Sequence, residues 1–297
     1  MNSADRHLRG AMRRAKRLTF DAESKLILMS DCHRGQGNNT DDFLRNQALF
    51  FGAMDHYYRE GFTYIELGDG DELWENRRLP PIIESHDDAF WMLSRFYKKD
   101  RFHMLYGNHD IIKRRKNYMG QNCSSFYCDA SGSREPLFPG LKIEEAIVLE
   151  NTDICKRILL VHGHQGSFLN DRCWRLARFL VRYVWRPLEL VGFLSPTGAA
   201  RSHRQKEKIE KNMARFAKNE QILVVAGHTH RPVFPAPGES LYLNDGSCVH
   251  PRCITGIEIE NNALCLIKWS VSVRKDSSLC VSRAILEGPV EIEKFFP

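Results

Sequence analysis

The sequence predicts an α/β protein, and three observations support that prediction. Short apolar runs of strand length recur along the chain, and each is followed by a turn and a polar cluster. Amphipathic stretches of helical periodicity lie between several of these runs, which is the order of a sheet with parallel crossovers. The chain has 297 residues, of which 42% are hydrophobic and 27% charged, so it can bury a large core.

The polar clusters after five of the apolar runs are rich in Asp, Asn and His. The runs cover residues 26–29, 64–67, 102–106, 158–161 and 222–226, and the clusters contain Asp31, His33, Asp69, Asn108, His109, Asp110, His162, His164, His228 and His230. Because ligands of α/β sheets bind outside the carboxyl ends of the strands, we expect these side chains to converge. Extended residues two apart point to the same side, so His228 and His230 can face one point. A mixed set of imidazole, carboxylate and amide donors suits manganese, iron or zinc, and the clusters therefore predict a metal site.

The first twenty residues are predicted to form a basic helix. Over residues 6–18, apolar side chains recur at helical spacing among many cations, at Leu8, Ala11 or Met12, Ala15 and Leu18. Two interpretations are open: the helix lies on an anionic membrane surface or acidic substrate, or it is a solvated helix that packs on the domain. We expect residues 21–164 and 221–297 to form one domain that residues 165–220 interrupt.

The segment between the first two polar clusters predicts a βαβ unit, with a helix from about residue 41 to residue 60. The loop that follows is acidic, and we expect Asp71 and Glu72 to orient histidines rather than bind a metal directly. Trp74 is expected to pack. A further helix is predicted over residues 86–99. The basic run at residues 113–116 includes Arg114, which either holds a substrate phosphate or belongs to a solvated turn.

Residues 165–220 predict a helical insertion that lies over the metal centre as a lid. Arg175, Arg178 and Arg182 recur at helical intervals, and apolar side chains lie around them. A second helix is predicted over residues 201–219, with an apolar stripe at Ile209, Met213 and Phe216. Arginines beside apolar surface would suit an acyl chain joined to a phosphorylated head group. Core packing explains the apolar residues equally well.

The remainder of the chain predicts strands at residues 253–260, 263–270 and 279–286, which are expected to extend a second sheet. Nine scattered cysteines without a Cys-x-x-Cys pair, and an amino terminus without a secretory signal, favour a reduced, cytoplasmic setting. Four of the cysteines are expected to be small buried residues, namely Cys248, Cys253, Cys265 and Cys280. No apolar stretch approaches the roughly 20 residues that cross a bilayer.

Five motifs follow one another between about residues 26 and 232. They are Asp31-x-His33, Gly68-Asp69, Gly107-Asn108-His109-Asp110, His162-Gly163 and Gly227-His228-Thr229-His230. This ordered set resembles the calcineurin-like metallophosphoesterase family, whose fold is a four-layer αββα sandwich. The resemblance implies two divalent ions, with manganese expected ahead of iron or zinc. It assigns one ion to Asp31, His33, Asp69 and His230, and the other to Asp69, Asn108, His162 and His228.

The same resemblance implies a reaction. A hydroxide held between ions about 3.5 to 4 Å apart would attack phosphorus in line. His109 is expected to protonate the leaving oxygen or to stabilise its charge, with Asp110 or Asp71 orienting the ring.

The helical insertion, and Glu72 and Trp74 after Gly68-Asp69, resemble the bacterial UDP-2,3-diacylglucosamine pyrophosphatase branch. That branch commonly carries Arg where this chain has His109. We therefore expect hydrolysis of a phosphodiester or pyrophosphate bond, in a small or lipid-linked compound. The alternatives are a phosphomonoesterase, a cyclic-nucleotide phosphodiesterase and a scaffold without catalysis. Nucleic acid is not expected because the cations do not form an extended track. Peripheral contact with the inner face of a membrane and the oligomeric state are left open.

Overall fold

The structure, a computed structural model, describes residues 3–128, 132–166 and 203–296. Its strands, numbered in chain order, are β1 Lys16–Phe20, β2 Leu26–Met29, β3 Thr63–Glu66, β4 Phe102–Leu105, β5 Ser125–Cys128, β6 Ser133–Pro136, β7 Ile143–Glu144, β8 Ala146–Asn151, β9 Arg157–Val161, β10 Leu223–Ala226, β11 Tyr242–Asn244, β12 Cys253–Glu260, β13 Ala263–Val273 and β14 Leu279–Glu291. Its helices are α1 Ser3–Arg14, α2 Gln47–Arg59, α3 Pro80–Ser85, α4 Asp87–Tyr97, α5 Tyr118–Asn122 and α6 His203–Glu220.

The strands form two large sheets and one hairpin. One sheet has the order β14-β13-β12-β2-β3-β4-β7, the other has the order β1-β8-β9-β10-β11, and β5 pairs with β6. Within the first sheet β2, β3 and β4 are parallel, and within the second β9, β10 and β11 are parallel. The five strands predicted to carry the polar clusters are β2, β3, β4, β9 and β10. They are therefore divided between two sheets.

The sheets pack face to face between two layers of helices. Helices α2 and α4 cover the outer face of the seven-stranded sheet, and α1 and α6 cover the outer face of the five-stranded sheet. The chain therefore has the predicted αββα sandwich. In β2, Leu28 faces the core between the sheets whereas Ile27 and Met29 face α2 and α4. A strand that is buried on both faces reads as a continuous apolar run, which explains the sequence pattern.

Helix α6, the last part of the predicted insertion, belongs to the sandwich. The predicted apolar stripe is confirmed, since Ile209, Met213 and Phe216 are all buried in the core. Burial of each such side chain contributes roughly 1.5–3 kcal/mol. Arg175, Arg178 and Arg182 lie outside the described residues.

The amino-terminal prediction was wrong in its bounds. The helix ends at Arg14, and Lys16–Phe20 forms strand β1, which pairs in parallel with β8. Pairing with a neighbouring strand outweighs the helical periodicity of these residues. Leu8 and Ala11 are buried in the core, as the packing interpretation predicts. No helix in the described ranges is both long and apolar enough to cross a membrane.

Two further predictions needed correction. The helix expected from residue 41 begins at Gln47, after a single 3₁₀ turn. Strands β12, β13 and β14 extend the sheet of β2 rather than a second sheet, because β12 pairs antiparallel with β2. Cys248 and Cys265 are buried as expected, whereas Cys253 and Cys280 are only partly buried.

Candidate metal centre

The first group of donors consists of Asp31, His33 and His230. Their ligand atoms all lie within 4.8 Å of one another. Nε2 of His33 is 3.3 Å from Nε2 of His230, and Oδ1 of Asp31 is 3.0 Å from Nε2 of His230. Two imidazole nitrogens that face each other at this distance repel unless a proton or a metal ion lies between them. The group is therefore suited to hold a cation.

The second group consists of Asp69, His162 and His228, whose ligand atoms also lie within 4.8 Å of one another. Nε2 of His162 is 3.0 Å from Oδ2 of Asp69 and 3.2 Å from Oδ1 of Asn108. Oδ2 of Asp69 is also 3.9 Å from Nε2 of His33. Asp69 thus lies between the two groups, and Asn108 joins the second one.

The backbone of these loops is strained in a way that aims the side chains. Five of the residues adopt the left-handed region although none is glycine: Asp31 (φ 53°), His33 (φ 48°), Asp69 (φ 49°), His228 (φ 69°) and His230 (φ 53°). Each such conformation costs on the order of 1–3 kcal/mol, and outliers of this kind cluster at functional sites. Gly107 is required for close packing, because a Cβ atom there would lie 2.1 Å from Oδ1 of Asp69.

In two of the histidines, a hydrogen bond from the ring nitrogen Nδ1 sets the tautomer that metal binding requires. Nδ1 of His33 donates to Oε2 of Glu72 at 3.0 Å, and Nδ1 of His162 donates to the carbonyl oxygen of Leu67 at 3.0 Å. With the proton on Nδ1, the lone pair of Nε2 points into the donor group in both rings. The orienting role predicted for Glu72 is confirmed at His33.

The pKa values of the residues in the donor groups also favour binding of a cation. Burial opposes charge on Asp31, yet His230 and His162 hold the pKa of its carboxyl well below the ordinary value. Burial likewise opposes charge on His162, but the carboxylates of Asp69 and Asp31 raise its pKa to about 9. Burial, followed by the charge of His162, lowers the pKa of His228 to about 3. Anionic oxygens beside a neutral imidazole are a donor set that fits a divalent ion.

Comparison with protein families agrees with this site. The sequence model of the family described as calcineurin-like phosphoesterase matches residues 24–232, which include every donor named above. The chain belongs to the calcineurin-like phosphoesterase family. Members of this family typically bind divalent metal ions, and the two donor groups are where this member could hold them.

Solved structures similar to this chain include Vps29 of Chaetomium thermophilum. That match has 8% identity and a TM-score of 0.38, and it covers 89% of this chain and 96% of the other. The same protein complexed with a RaPID-derived cyclic peptide matches with 11% identity and a TM-score of 0.33, covering 90% and 98% of the two chains. A comparison with curated proteins found no match.

His109 forms a third candidate group with His33 and Asp69, whose ligand atoms also lie within 4.8 Å of one another. Its ring is held from two sides. Nδ1 of its ring is 2.6 Å from Oε2 of Glu72, the same oxygen that His33 contacts. The ring stacks on Trp74, with centroids 4.1 Å apart and an interplanar angle of 19°. Its backbone N–H donates to Oδ1 of Asp69 at 2.7 Å. Trp74 therefore packs, as predicted, and it packs on the candidate catalytic ring.

The prediction that Asp110 or Asp71 orients His109 was wrong. Asp110 accepts hydrogen bonds from the backbone of Gly107 and from Lys113. Asp71 pairs with Arg34 and Lys113. Both carboxyls lie beneath the donors, in a cluster of buried charges that sequence reasoning missed. The one signal for it was an arginine directly after the predicted ligand His33, and an arginine in a loop is ordinarily solvated.

The remaining predicted site residues differ in their surroundings. His164 is buried, 5.5 Å from His162 between ring centroids, and belongs to neither donor group. Arg114 is exposed and hydrogen-bonds Tyr106, whose pKa is raised by burial to about 12. A cavity of about 680 Å³ adjoins this loop, and its exposed cations are Arg114, Arg115, Lys116 and Lys142, beside the carboxylate of Glu144.

Proposed function

We propose that this phosphoesterase hydrolyses a phosphodiester or pyrophosphate bond with two divalent ions at its donor groups. The observation that supports this is the position of Asp69, between Asp31, His33 and His230 on one side and His162 and His228 on the other. Asp31, His33, Asp69 and His230 would hold one ion, and Asp69, Asn108, His162 and His228 the other. Such ions supply Lewis acidity toward phosphoryl oxygens and lower the pKa of water.

His109 is proposed as the group that serves the leaving oxygen. Nδ1–H of His109 donates a hydrogen bond to Glu72, and Trp74 fixes the plane of the ring, so Nε2 is the nitrogen left for substrate. In hydrolysis an oxygen from water bonds to phosphorus, the bond from phosphorus to the leaving oxygen breaks, and that oxygen needs a proton. A protonated His109 would donate it from Nε2.

We further propose that the substrate carries anionic charge beyond the bond that is cleaved. The cationic cavity beside Arg114 supports this, since a second phosphoryl group could bind there. A pyrophosphate in an acylated sugar nucleotide, as in the branch that the sequence resembles, would meet the requirement. Arg175, Arg178 and Arg182 would then contact the head group, and the enzyme would act in the cytoplasm at or near the inner face of the membrane.

The experiment is hydrolysis of three substrates by the metal-loaded protein. An aryl phosphodiester, an aryl phosphomonoester and a UDP-linked acylated sugar are compared in the presence of Mn²⁺, beside the variant Asp69→Ala. We expect the acylated pyrophosphate to be preferred and the variant to be inactive.

Two measurements keep the interpretation clear. Mass spectrometry of metals should find about two Mn²⁺ per chain in the wild type, while circular dichroism checks that the Asp69→Ala variant is folded. Preference for the phosphomonoester would replace the proposed bond type by a monoester. A wild type that binds no metal and hydrolyses none of the three would favour the scaffold alternative.

A further inference from the structure

A closed cluster of charged side chains lies directly beneath the metal ligands. We call it the Arg34 cluster, and its members are Arg34, Glu66, Asp71, Asp110 and Lys113. All five are buried: Arg34, Glu66 and Asp110 are 0% exposed, Asp71 is 1% exposed and Lys113 is 2% exposed. Charges taken this far from water are tolerated only when each is paired and hydrogen-bonded.

The pairing within the cluster is complete at its centre. Nη1 and Nη2 of Arg34 each donate to one oxygen of Glu66 at 2.9 Å, and its Nε donates to Oδ1 of Asp71 at 2.7 Å. Nζ of Lys113 lies 2.6 Å from Oδ2 of Asp71 and 2.7 Å from Oδ2 of Asp110. Asp71 therefore joins the two cations through its two oxygens.

The members are spaced along the chain so that they tie three ligand loops together. Arg34 follows His33, Asp71 lies two residues after Asp69, and Asp110 lies two residues after Asn108. The backbone repeats the tie between the first two loops, because the N–H of Arg34 donates to the carbonyl of Gly70 at 3.0 Å. A shift of any one loop would thus break a buried ion pair, which is strongly destabilising.

Gly70 shows how closely the cluster meets the loop of Asp69. A Cβ atom at this position would lie 2.0 Å from Oε1 of Glu66 and 2.5 Å from Nη2 of Arg34. The φ angle of Gly70 is outside the left-handed region, so glycine is required here by space rather than by conformation. The loop backbone rests on the Arg34–Glu66 pair itself.

We propose that the Arg34 cluster sets the distance between the two ion positions, with Arg34 and Lys113 as positioning residues. Arg34 holds the loop of Asp31 and His33, Lys113 holds the loop of Asn108, and Asp71 couples both to the loop of Asp69. The inference rests on the proposed function in one respect, namely that the two donor groups hold ions. It adds that the two ions bind as a coupled pair because the loops are locked by a common partner.

The first test compares two arginine-to-lysine substitutions. Arg34→Lys keeps the charge but loses the paired contact with Glu66, since lysine is a point donor. Arg283→Lys is the control for loss of an arginine–carboxylate pair, because Arg283, whose side chain is 31% exposed, pairs with Glu258 on the same sheet and carries no ligand loop. Calorimetric titration of the chelator-stripped proteins with Mn²⁺ should show affinity about 10- to 100-fold lower in Arg34→Lys and wild-type affinity in Arg283→Lys.

The second test removes the geometry without touching a charge. Gly70→Ala should weaken Mn²⁺ binding by a similar factor, whereas Gly120→Ala should not, because nothing lies within 4 Å of a Cβ atom at Gly120. Electron paramagnetic resonance of the Mn²⁺-loaded proteins adds a readout that general destabilisation would not move. Coupling between the two ions should be visible in the wild type and altered in both Arg34→Lys and Gly70→Ala.

The outcomes separate this inference from the proposed function. If the wild type binds two Mn²⁺ and the Arg34→Lys and Gly70→Ala variants bind them equally well with unchanged coupling, the positioning role is wrong and the proposed function stands. The positioning role is also wrong if Arg283→Lys loses as much affinity as Arg34→Lys. A wild type that binds no Mn²⁺ overturns both.

Discussion

The histidines of the two donor groups differ in how far they are open to solvent. In the first group the side chain of His230 is 20% exposed and that of His33 is 10% exposed. In the second group the side chain of His162 is 0% exposed and that of Asp69 is 2% exposed. An ion in the first group would therefore exchange with solvent more readily than an ion in the second.

The difference arises from the way the two sheets meet. His162 directly follows β9, and one residue separates His228 from the end of β10. Both imidazoles therefore remain near the core between the sheets. His230 lies two residues farther along the same loop, at the rim. One loop of four residues can therefore supply a buried donor and an accessible donor.

The largest loss of activity is expected for a substitution that affects both donor groups at once. Asp69 lies between the groups, so Asp69→Ala should impair both ion positions and lower kcat/KM by about a thousandfold or more, roughly 4 kcal/mol of transition-state stabilisation. Metal analysis beside steady-state kinetics checks this. Retention of two tightly held ions by the variant would contradict the placement of Asp69 between the groups.

The next largest loss of activity is expected for a substitution that leaves metal binding at both donor groups unchanged. His109→Ala should lower kcat by about 10²- to 10⁴-fold, because proton donation to the leaving oxygen is lost, while two Mn²⁺ per chain remain bound. The measurement pairs turnover with metal content. Trp74→Leu serves as a milder companion, since it loosens the ring of His109 without removing it. Loss of metal from His109→Ala would show that His109 is a ligand and would end its proposed role.

The contrast itself is tested by removing one histidine from each side. His230→Ala and His228→Ala should each weaken Mn²⁺ binding by at least about tenfold, which is the scale seen for partners of metal sites. Raising the concentration of Mn²⁺ should restore activity to the open-site variant His230→Ala much more fully than to His228→Ala. Equal restoration in both variants would mean that burial does not separate the two ion positions.

Stability should report the same asymmetry on a smaller scale. An ion that binds only the folded chain stabilises it by about 2.7 kcal/mol when its free concentration is 100 times its dissociation constant. Addition of EDTA should therefore lower the melting temperature of the wild type, and this shift should be smaller in His228→Ala than in His230→Ala. A wild-type melting temperature that EDTA leaves unchanged would argue against tight binding at the enclosed group.

The smallest effect lies outside both groups. Arg114→Ala should raise KM several-fold for a substrate with a second phosphoryl group and leave kcat nearly unchanged, as expected for uniform binding. The same variant should treat an aryl phosphodiester like the wild type does. An equal loss with both substrates would mean that Arg114 supports the fold near Tyr106 rather than the anion.

Much of the site could be predicted because local patterns specify it. Apolar runs that end in Asp, Asn or His mark buried strands whose carboxyl ends meet, and the strands β2, β3, β4, β9 and β10 lie close to their predicted positions. The convergence of Asp31, His33, Asp69, His162, His228 and His230 followed from that alone. The bounds of the amino-terminal helix could not be predicted in this way, because Lys16–Phe20 forms a strand that pairs with β8, which is far away in the sequence.

The α/β class, the strand ends that carry donors and the apolar faces could be predicted from the sequence, because these depend on the order of side chains along one segment. Three features depend instead on how the chain folds: which strands share a sheet, that Glu72 rather than Asp71 or Asp110 holds His109, and that Arg34 is buried with Lys113. Pairing partners far apart in the chain leave no periodic signal in either segment. A charged side chain joins a buried cluster only where folding brings counter-charges to meet it.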